Sequence, residues 1–107
     1  MDDRVQTIVN DFRAAMQSLY GKRLDRIVLF GSYARGDYHD HSDIDFMLVL
    51  KDESISRLEE INRFLAAQSE LSLKHNVTVS ILPTSYKKYS QSAQPVYYFA
   101  RLEGILV

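Results

Sequence analysis

The spacing of apolar residues at the start of the chain predicts a helix followed by a strand. Between Asp2 and Tyr20 the apolar positions recur every three or four residues: Val5, Ile8, Val9, Phe12, Ala15, Met16 and Leu19. This spacing is typical of an amphipathic helix with one buried face. Gly21, Lys22 and Arg23 follow, which is favourable chemistry at a helix C-terminus. Leu24 to Phe30 then ends in four consecutive apolar residues, which favours an interior strand.

The next segment predicts a surface loop and a second strand. Residues 36–42 are mostly polar and show no apolar period, so we expect them to form a loop that returns the chain to the sheet. Asp43 to Leu50 is predicted to be a strand. Side chains alternate between the two faces of a strand, so Asp43 and Asp45 are expected on one face and Ile44 and Phe46 on the other.

The second half of the chain predicts another helix and a third strand. Asp52 to Lys74 has helical spacing, with Ser54 or Asp52 available as the N-cap. Val77 to Leu82 alternates apolar and hydroxyl residues, as a half-buried strand does. We expect Pro83-Thr84 to end that strand, and we expect Thr78 and Ser80 to share one of its faces.

The C-terminal segment completes a mixed α and β pattern. Ser85 to Ser92 can form a helical turn, and Pro95 to Leu102 is predicted to be a last helix that starts with proline and stops before Gly104. The order of elements predicts an α+β (α/β) fold, a small mixed β-sheet with its helices packed mainly on one side. Residues 1–107 are expected to form a single domain.

Composition narrows the class of protein. The chain has 107 residues, 46% of them hydrophobic, which suffices for one core without disulfide or metal support. There is no cysteine, no apolar run of membrane-spanning length and no secretion signal at the N-terminus, so we expect a cytoplasmic protein that does not enter membranes. The net charge of -1 disfavours stable binding to a long nucleic acid.

The residues directly after the first strand favour phosphate binding. Gly31 and Ser32 form a tight turn there, and glycine lets an anionic ligand approach the exposed backbone N–H groups. The Ser32 hydroxyl adds a donor. Arg35 could add a planar cation to the same site, although it could equally pair with Asp37 or Asp40.

Asp43 and Asp45 add a candidate metal site. Two carboxylates on one strand face repel each other unless a cation or a hydrogen-bond network neutralises them. Mg²⁺ does so readily, since it prefers hard oxygen ligands and is commonly shared between one or two carboxylates and substrate phosphates. The alternative is that both side chains are simply solvent-exposed. A phosphate-binding turn beside a metal-binding pair favours in-line displacement at phosphorus.

These motifs resemble those of a known superfamily. Gly31-Ser32, ten intervening residues and Asp43-x-Asp45 are similar to the signature of the DNA polymerase beta superfamily of nucleotidyltransferases. The fuller match, residues 31–36 with residues 42–45, resembles the minimal nucleotidyltransferase group, and residues 101–105 are similar to the close of that group's sequences. The resemblance implies that Gly31 and Ser32 hold a triphosphate, with Arg35 beside them, and that Asp43 and Asp45 are the catalytic, Mg²⁺-binding pair.

One departure from the family pattern concerns a third carboxylate on the strand after the second long helix. Thr78 is the residue we match to it from the sequence, and a threonine hydroxyl is a poor base and a poor Mg²⁺ ligand. Glu70, Glu103 and His75 are candidates to replace it by residue type alone. Either another group takes over this role or turnover is low.

The resemblance also implies a function and a partner. It implies transfer of a nucleoside monophosphate, AMP from ATP, to a hydroxyl acceptor. The acceptor would be a tyrosine of a HEPN-class toxin, for which this chain would be the antitoxin. The alternative is a catalytically weakened or inactive nucleotide-binding antitoxin that neutralises its partner by binding. Transfer to a small molecule is less favoured, because such enzymes usually carry an additional substrate-binding domain.

Overall fold

A computed structural model describes residues 1–107. The helices are α1 (Asp3–Tyr20), α2 (Ser32–Arg35), α3 (Arg57–His75), α4 (Tyr86–Gln91) and α5 (Pro95–Glu103), with a 3-10 turn at Gly21–Arg23. The strands are β1 (Leu24–Phe30), β2 (Ile44–Leu50), β3 (Val79–Ser85) and β4 (Ile105–Leu106). No helix combines the length and hydropathy needed to cross a membrane.

The four strands form one mixed sheet in the order β3-β2-β1-β4. β1 runs antiparallel to both β2 and β4, whereas β2 and β3 are parallel. The long helices α1 and α3 cover one face, where Phe12 stacks on Phe46 in the larger core cluster. The short helices α4 and α5 contribute to a smaller cluster with Met47 and Val49 on the other face. The predicted α+β fold is therefore confirmed.

Three predicted boundaries are wrong: the start of α3 and both ends of β3, whose first residue is Val79, so that Val77 and Thr78 precede the strand. α3 begins at Arg57 with Ser56 as its N-cap, not with Ser54 or Asp52, because the Asp52 carboxylate accepts a hydrogen bond from Arg23 Nε at 3.0 Å. β3 continues through Pro83 to Ser85. Proline is tolerated there because β3 is an edge strand, paired with β2 on one side only.

The end of the chain brings α5 back to the sheet. Pro95 occupies the start of α5, as predicted, and Gly104 follows its end. A Cβ at Gly104 would lie 2.5 Å from the Val28 side chain and 2.2 Å from the Ala100 carbonyl oxygen, so only glycine fits between α5 and the sheet. Ile105 and Leu106 then pair with β1 as an edge strand. This return places the end of α5 near the turn after β1.

Candidate active site

The turn after β1 is built around Gly31. Gly31 adopts φ +72°, a left-handed conformation that glycine adopts without strain, and its carbonyl oxygen accepts hydrogen bonds from the N–H groups of Ala34 and Arg35, both at 3.1 Å. Ser32 is the first residue of α2. The first N–H groups of a helix have no acceptor within it, so the turn offers donors beside the Ser32 hydroxyl.

Asp45 lies directly against this turn. It pairs with Phe30 across the β1–β2 ladder, one residue before Gly31. A Cβ built on Gly31 would lie 2.5 Å from Asp45 Oδ2, so the absence of a side chain at Gly31 is what lets the carboxylate occupy its position. Asp43 immediately precedes β2 and is exposed. The carboxylates and the Gly-Ser turn, both identified in the sequence, are thus brought together.

The surroundings of Asp45 disfavour the charged form of its carboxyl group. Burial raises the pKa of Asp45 and repulsion from the Asp43 carboxylate raises it further, while the Ser80 hydroxyl and the Arg35 charge act in the opposite direction. A cation bound between the two carboxylates would remove that repulsion. Two hard oxygen ligands beside the Gly-Ser turn have the chemistry that Mg²⁺ prefers, so the residues present fit one such ion.

Arg35 lies near the carboxylates but is engaged by other acidic side chains. Arg35 Nε donates a hydrogen bond to Asp37 Oδ2 at 3.2 Å, and Arg35 Nη1 lies 3.8 Å from Glu103 Oε2. Its predicted pairing with Asp37 is therefore present, and Glu103 joins from the end of α5. Both contacts are partly exposed, and a triphosphate could compete for the guanidinium there.

No third carboxylate completes the site. Nowhere does the structure gather three His, Cys, Asp or Glu side chains into one metal-binding group. The two candidates on α3 are engaged elsewhere: His75 Nε2 lies 2.8 Å from Asp11 Oδ2 on α1, and Glu70 lines a cleft with Asp11 and Lys74 between α1 and α3. Glu103 faces Arg35.

The β2–β3 register adds Ser80 to the site, a residue for which the sequence predicted no role there. Asp45 is paired with Ser80, and Ile44 with Val79, so Thr78 lies at the level of Asp43 just before β3 begins. Ser80 is half-buried and Thr78 is exposed. The sequence predicts that both hydroxyls share one strand face, whereas the structure places Thr78 outside β3, and only the register identifies Ser80 as the partner of Asp45.

An open cleft of about 350 Å³ lies beside Asp43 on the β3 side of the sheet. Its lining is mainly polar and includes His41 and Ser42 from the loop, Asn76 from the α3–β3 turn, and Thr78. This side is opposite the Gly-Ser turn, since β2 lies between β1 and β3. A group in the cleft would lie on the side of β2 away from the Gly-Ser turn.

Comparisons with known proteins agree with this geometry. Residues 9–102 match the family model described as "Nucleotidyltransferase domain". The chain is 37% identical over 81 residues to "Putative protein adenylyltransferase MJ0141" of Methanocaldococcus jannaschii, covering 76% of this chain and 78% of that protein.

Solved structures share the fold. A toxin-antitoxin complex with AMP-PNP matches with a TM-score of 0.67 at 20% identity, over 91% of this chain and 69% of that one. A complex of a tri-AMPylated Shewanella oneidensis HEPN toxin with its MNT antitoxin matches with a TM-score of 0.60 at 20% identity, over 94% and 69%. The resemblance seen in the Gly-Ser and Asp-x-Asp motifs is confirmed, and the chain belongs to the nucleotidyltransferase domain family.

Proposed function

We propose that this chain is a Mg²⁺-dependent nucleotidyltransferase that moves AMP from ATP to a hydroxyl group, within one domain spanning residues 1–107. The observation that carries the proposal is the packing of the Asp45 carboxylate against Gly31 in the phosphate-binding turn, with Asp43 on the same face. This arrangement would hold a nucleotide's phosphates and its metal ion next to each other. The adenylyltransferase name of the relative supports AMP as the transferred group.

Different residues would bind the triphosphate and the metal ion. Gly31 and Ser32 would bind the triphosphate through backbone N–H groups and the hydroxyl, with Arg35 turning from Asp37 to the phosphates. Asp43 and Asp45 would hold Mg²⁺, which supplies charge stabilisation at the phosphate oxygens. The acceptor oxygen forms a bond to the α-phosphorus as the bond from that phosphorus to the bridging oxygen breaks. Pyrophosphate leaves with the electron pair of that bond, and the hydroxyl proton passes to a base.

In-line displacement fixes where the acceptor would enter. The attacking and leaving oxygens lie on opposite sides of the phosphorus atom. If pyrophosphate leaves towards the Gly31-Ser32 turn on β1, the acceptor hydroxyl approaches from the β3 side. The polar cleft lined by Ser42 and Thr78 lies on that side and is the proposed entry route.

We propose a HEPN-class toxin as the acceptor, modified on a tyrosine, with this chain as its antitoxin. The structural neighbours, an AMPylated HEPN toxin bound to an MNT antitoxin among them, support the pairing. A surface for such a partner adjoins the site. This C-terminal apolar surface is formed by exposed side chains of α5 and β4: Tyr98, Phe99, Leu102, Ile105 and Leu106. Ile105 also lines a cleft with Arg35.

Mass spectrometry tests the proposal directly. The protein is incubated with the HEPN partner, ATP and Mg²⁺, and the partner is weighed. A mass gain of one or more AMP groups, localised to tyrosine by peptide sequencing, is expected. An unmodified partner with every metal and nucleotide tried would contradict the transferase proposal.

A second candidate function is neutralisation by binding alone, which the missing third carboxylate favours. The variant carrying Asp43→Asn and Asp45→Asn separates the two. If cells carrying the toxin remain protected, occlusion suffices. Loss of protection with an intact complex supports transfer chemistry.

A further inference from the structure

We propose that this chain binds a single divalent cation together with its nucleotide, and that Ser80 is the residue that limits it to one. The inference rests on the proposed function and deepens it, because it specifies the metal content of the same site. A two-metal site places its ions roughly 3.5 to 4 Å apart and needs ligands that reach both of them. The described site offers two carboxylates, and no third His, Asp or Glu joins them.

The register identifies Ser80 as the position from which a third ligand would act. Asp45 and Ser80 are directly paired on adjacent parallel strands, with side chains on the same face. The Ser80 hydroxyl is close enough to influence the Asp45 carboxylate. A carboxylate at residue 80 would therefore stand beside Asp45. One at Thr78 would lie two residues earlier, about 7 Å away along the strand and outside β3.

The hydroxyl at Ser80 stabilises the two-carboxylate site when no metal is present. Residue 80 is paired with Asp45 across the β2–β3 ladder, so a third negative charge there would add to the repulsion between the two carboxylates. A neutral donor there does the opposite, since it can hydrogen-bond to the carboxylate. Ser80 thus avoids further charge repulsion in the metal-free site, but it supplies no carboxylate ligand for a second ion.

A consequence concerns the acceptor proton. With one cation and no third carboxylate beside Asp45, the metal site itself supplies no base for the attacking hydroxyl. The proton would pass to a group outside the metal site. Asp40 and His41 line the cleft proposed for acceptor entry and are titratable side chains of this chain on that route.

Manganese counting tests the inference. The chain is equilibrated with Mn²⁺ and a non-hydrolysable ATP analogue, and bound Mn²⁺ is measured by equilibrium dialysis and electron paramagnetic resonance. We expect one Mn²⁺ per chain with an uncoupled spectrum. Ser80→Asp should bind two, with the exchange-coupled spectrum of neighbouring ions, and its melting temperature should rise more on adding Mn²⁺ and nucleotide than that of the unsubstituted chain.

Two further variants serve as matched controls. Thr78→Asp adds the same carboxylate at the neighbouring position on that face and should still bind one Mn²⁺. Ser80→Asn adds a similar volume without charge and should also bind one. Circular dichroism establishes that each variant is folded.

The outcomes separate this inference from the proposed function. Two Mn²⁺ ions in the unsubstituted chain would overturn the inference and leave the transferase proposal standing. One ion in Ser80→Asp, or two in Thr78→Asp, would overturn the assignment to Ser80. No Mn²⁺ bound with nucleotide in the unsubstituted chain would overturn both proposals.

Discussion

At the scale of single residues, Gly31 and Asp45 depend on each other. Gly31 needs its positive φ to turn the chain into α2, and it needs to lack a side chain because Asp45 Oδ2 occupies that space. Gly36 also has a positive φ, of +84°, but a Cβ there would meet nothing within 4 Å. Gly36 therefore offers a positive-φ control that lacks the contact with the carboxylate.

We expect Gly31→Ala to abolish nucleotide binding, while Gly36→Ala leaves it intact. Both substitutions place an alanine at a positive φ, at a cost of roughly 1 to 3 kcal/mol of stability; Gly36 is in the left-handed helical region at ψ 8°, whereas Gly31, at ψ −152°, is in a region essentially restricted to glycine, so Gly31→Ala should be the more strained of the two. Only Gly31→Ala also displaces Asp45. Titration of each variant with Mg²⁺-ATP, alongside urea unfolding, measures both effects. Equal losses of nucleotide binding in the two variants would show that strain, not the carboxylate contact, matters.

We expect Asp45→Asn to stabilise the metal-free protein at pH 7. The pKa of Asp45 is raised in the folded chain, so the folded state holds the proton more readily than the unfolded state does. The free energy of unfolding therefore falls as pH rises above the ordinary value of 3.8. Removing the charge should recover roughly 0.2 to 1 kcal/mol, the usual cost of facing like charges on a sheet.

Urea unfolding of both proteins at a series of pH values measures the predicted stabilisation by Asp45→Asn. The gain from Asp45→Asn should shrink as pH is lowered to about 3, where the unfolded carboxyl is itself protonated. Mg²⁺ with nucleotide should stabilise the unsubstituted chain and not the variant. A variant less stable than the parent at pH 7 would show that Asp45 makes favourable contacts that outweigh the repulsion.

At the scale of elements, a buried carboxylate ties α3 to the turn between α1 and β1. Glu60 is 2% exposed, and its Oε2 accepts a hydrogen bond from Arg23 Nη2 at 2.8 Å. Arg63, on the next turn of α3, is further away at 3.3 Å and more exposed. Burial alone would raise the pKa of Glu60, but the bond from Arg23 helps to lower it below its usual value.

We expect Arg23→Met to destabilise the fold more than Arg63→Met. Losing Arg23 leaves the buried Glu60 charge without its closest partner, and breaking such a pair costs about 2 to 4 kcal/mol after allowing for the partial exposure of Arg23. Arg63→Met should lower the free energy of unfolding by under about 1 kcal/mol, because Arg63 is more exposed. Thermal unfolding at pH 7 compares them. The difference should diminish as pH falls below 4.5, the ordinary pKa of Glu60, because protonation removes the charge. Equal costs at pH 7 would contradict this account.

Elements whose ends are set by local chemistry are predictable from the sequence, and the others are not. β1 and the start of α5 follow from an apolar run and from a proline at the first helical position. The ends of α3 and β3 depend on distant partners. Arg23 removes Asp52 from the capping role, and pairing with β2 on one side only lets β3 continue through Pro83.

At the scale of the whole molecule, the same division applies to the candidate site. Four site residues can be identified from the sequence, because a turn and the two-residue alternation of a strand place them locally: Gly31, Ser32, Asp43 and Asp45. Ser80 cannot be identified in this way, because its position beside Asp45 depends on a parallel register set by α3. The contact of Glu103 with Arg35 likewise requires that α5 return to the sheet.

The partner surface is also a property of the whole fold, because β4 forms only when the chain end pairs with β1. We expect the double variant Phe99→Ser, Leu102→Ser to weaken binding of the HEPN partner at least 10-fold, since each buried apolar side chain contributes about 1.5 to 3 kcal/mol. Both side chains are at least half exposed in the isolated chain, so the fold should tolerate the change.

The chain offers a matched control on its other face. Leu58 and Leu65 on α3 are 69% and 50% exposed, so Leu58→Ser, Leu65→Ser removes a similar exposed apolar surface away from the site. Isothermal titration calorimetry with the partner should show little change for this control, and Mg²⁺-ATP titration should be unchanged for both double variants. If the α3 variant weakens binding and the α5 variant does not, the partner docks on the α1–α3 face. That result would overturn the assignment of the C-terminal apolar surface as the partner's docking surface.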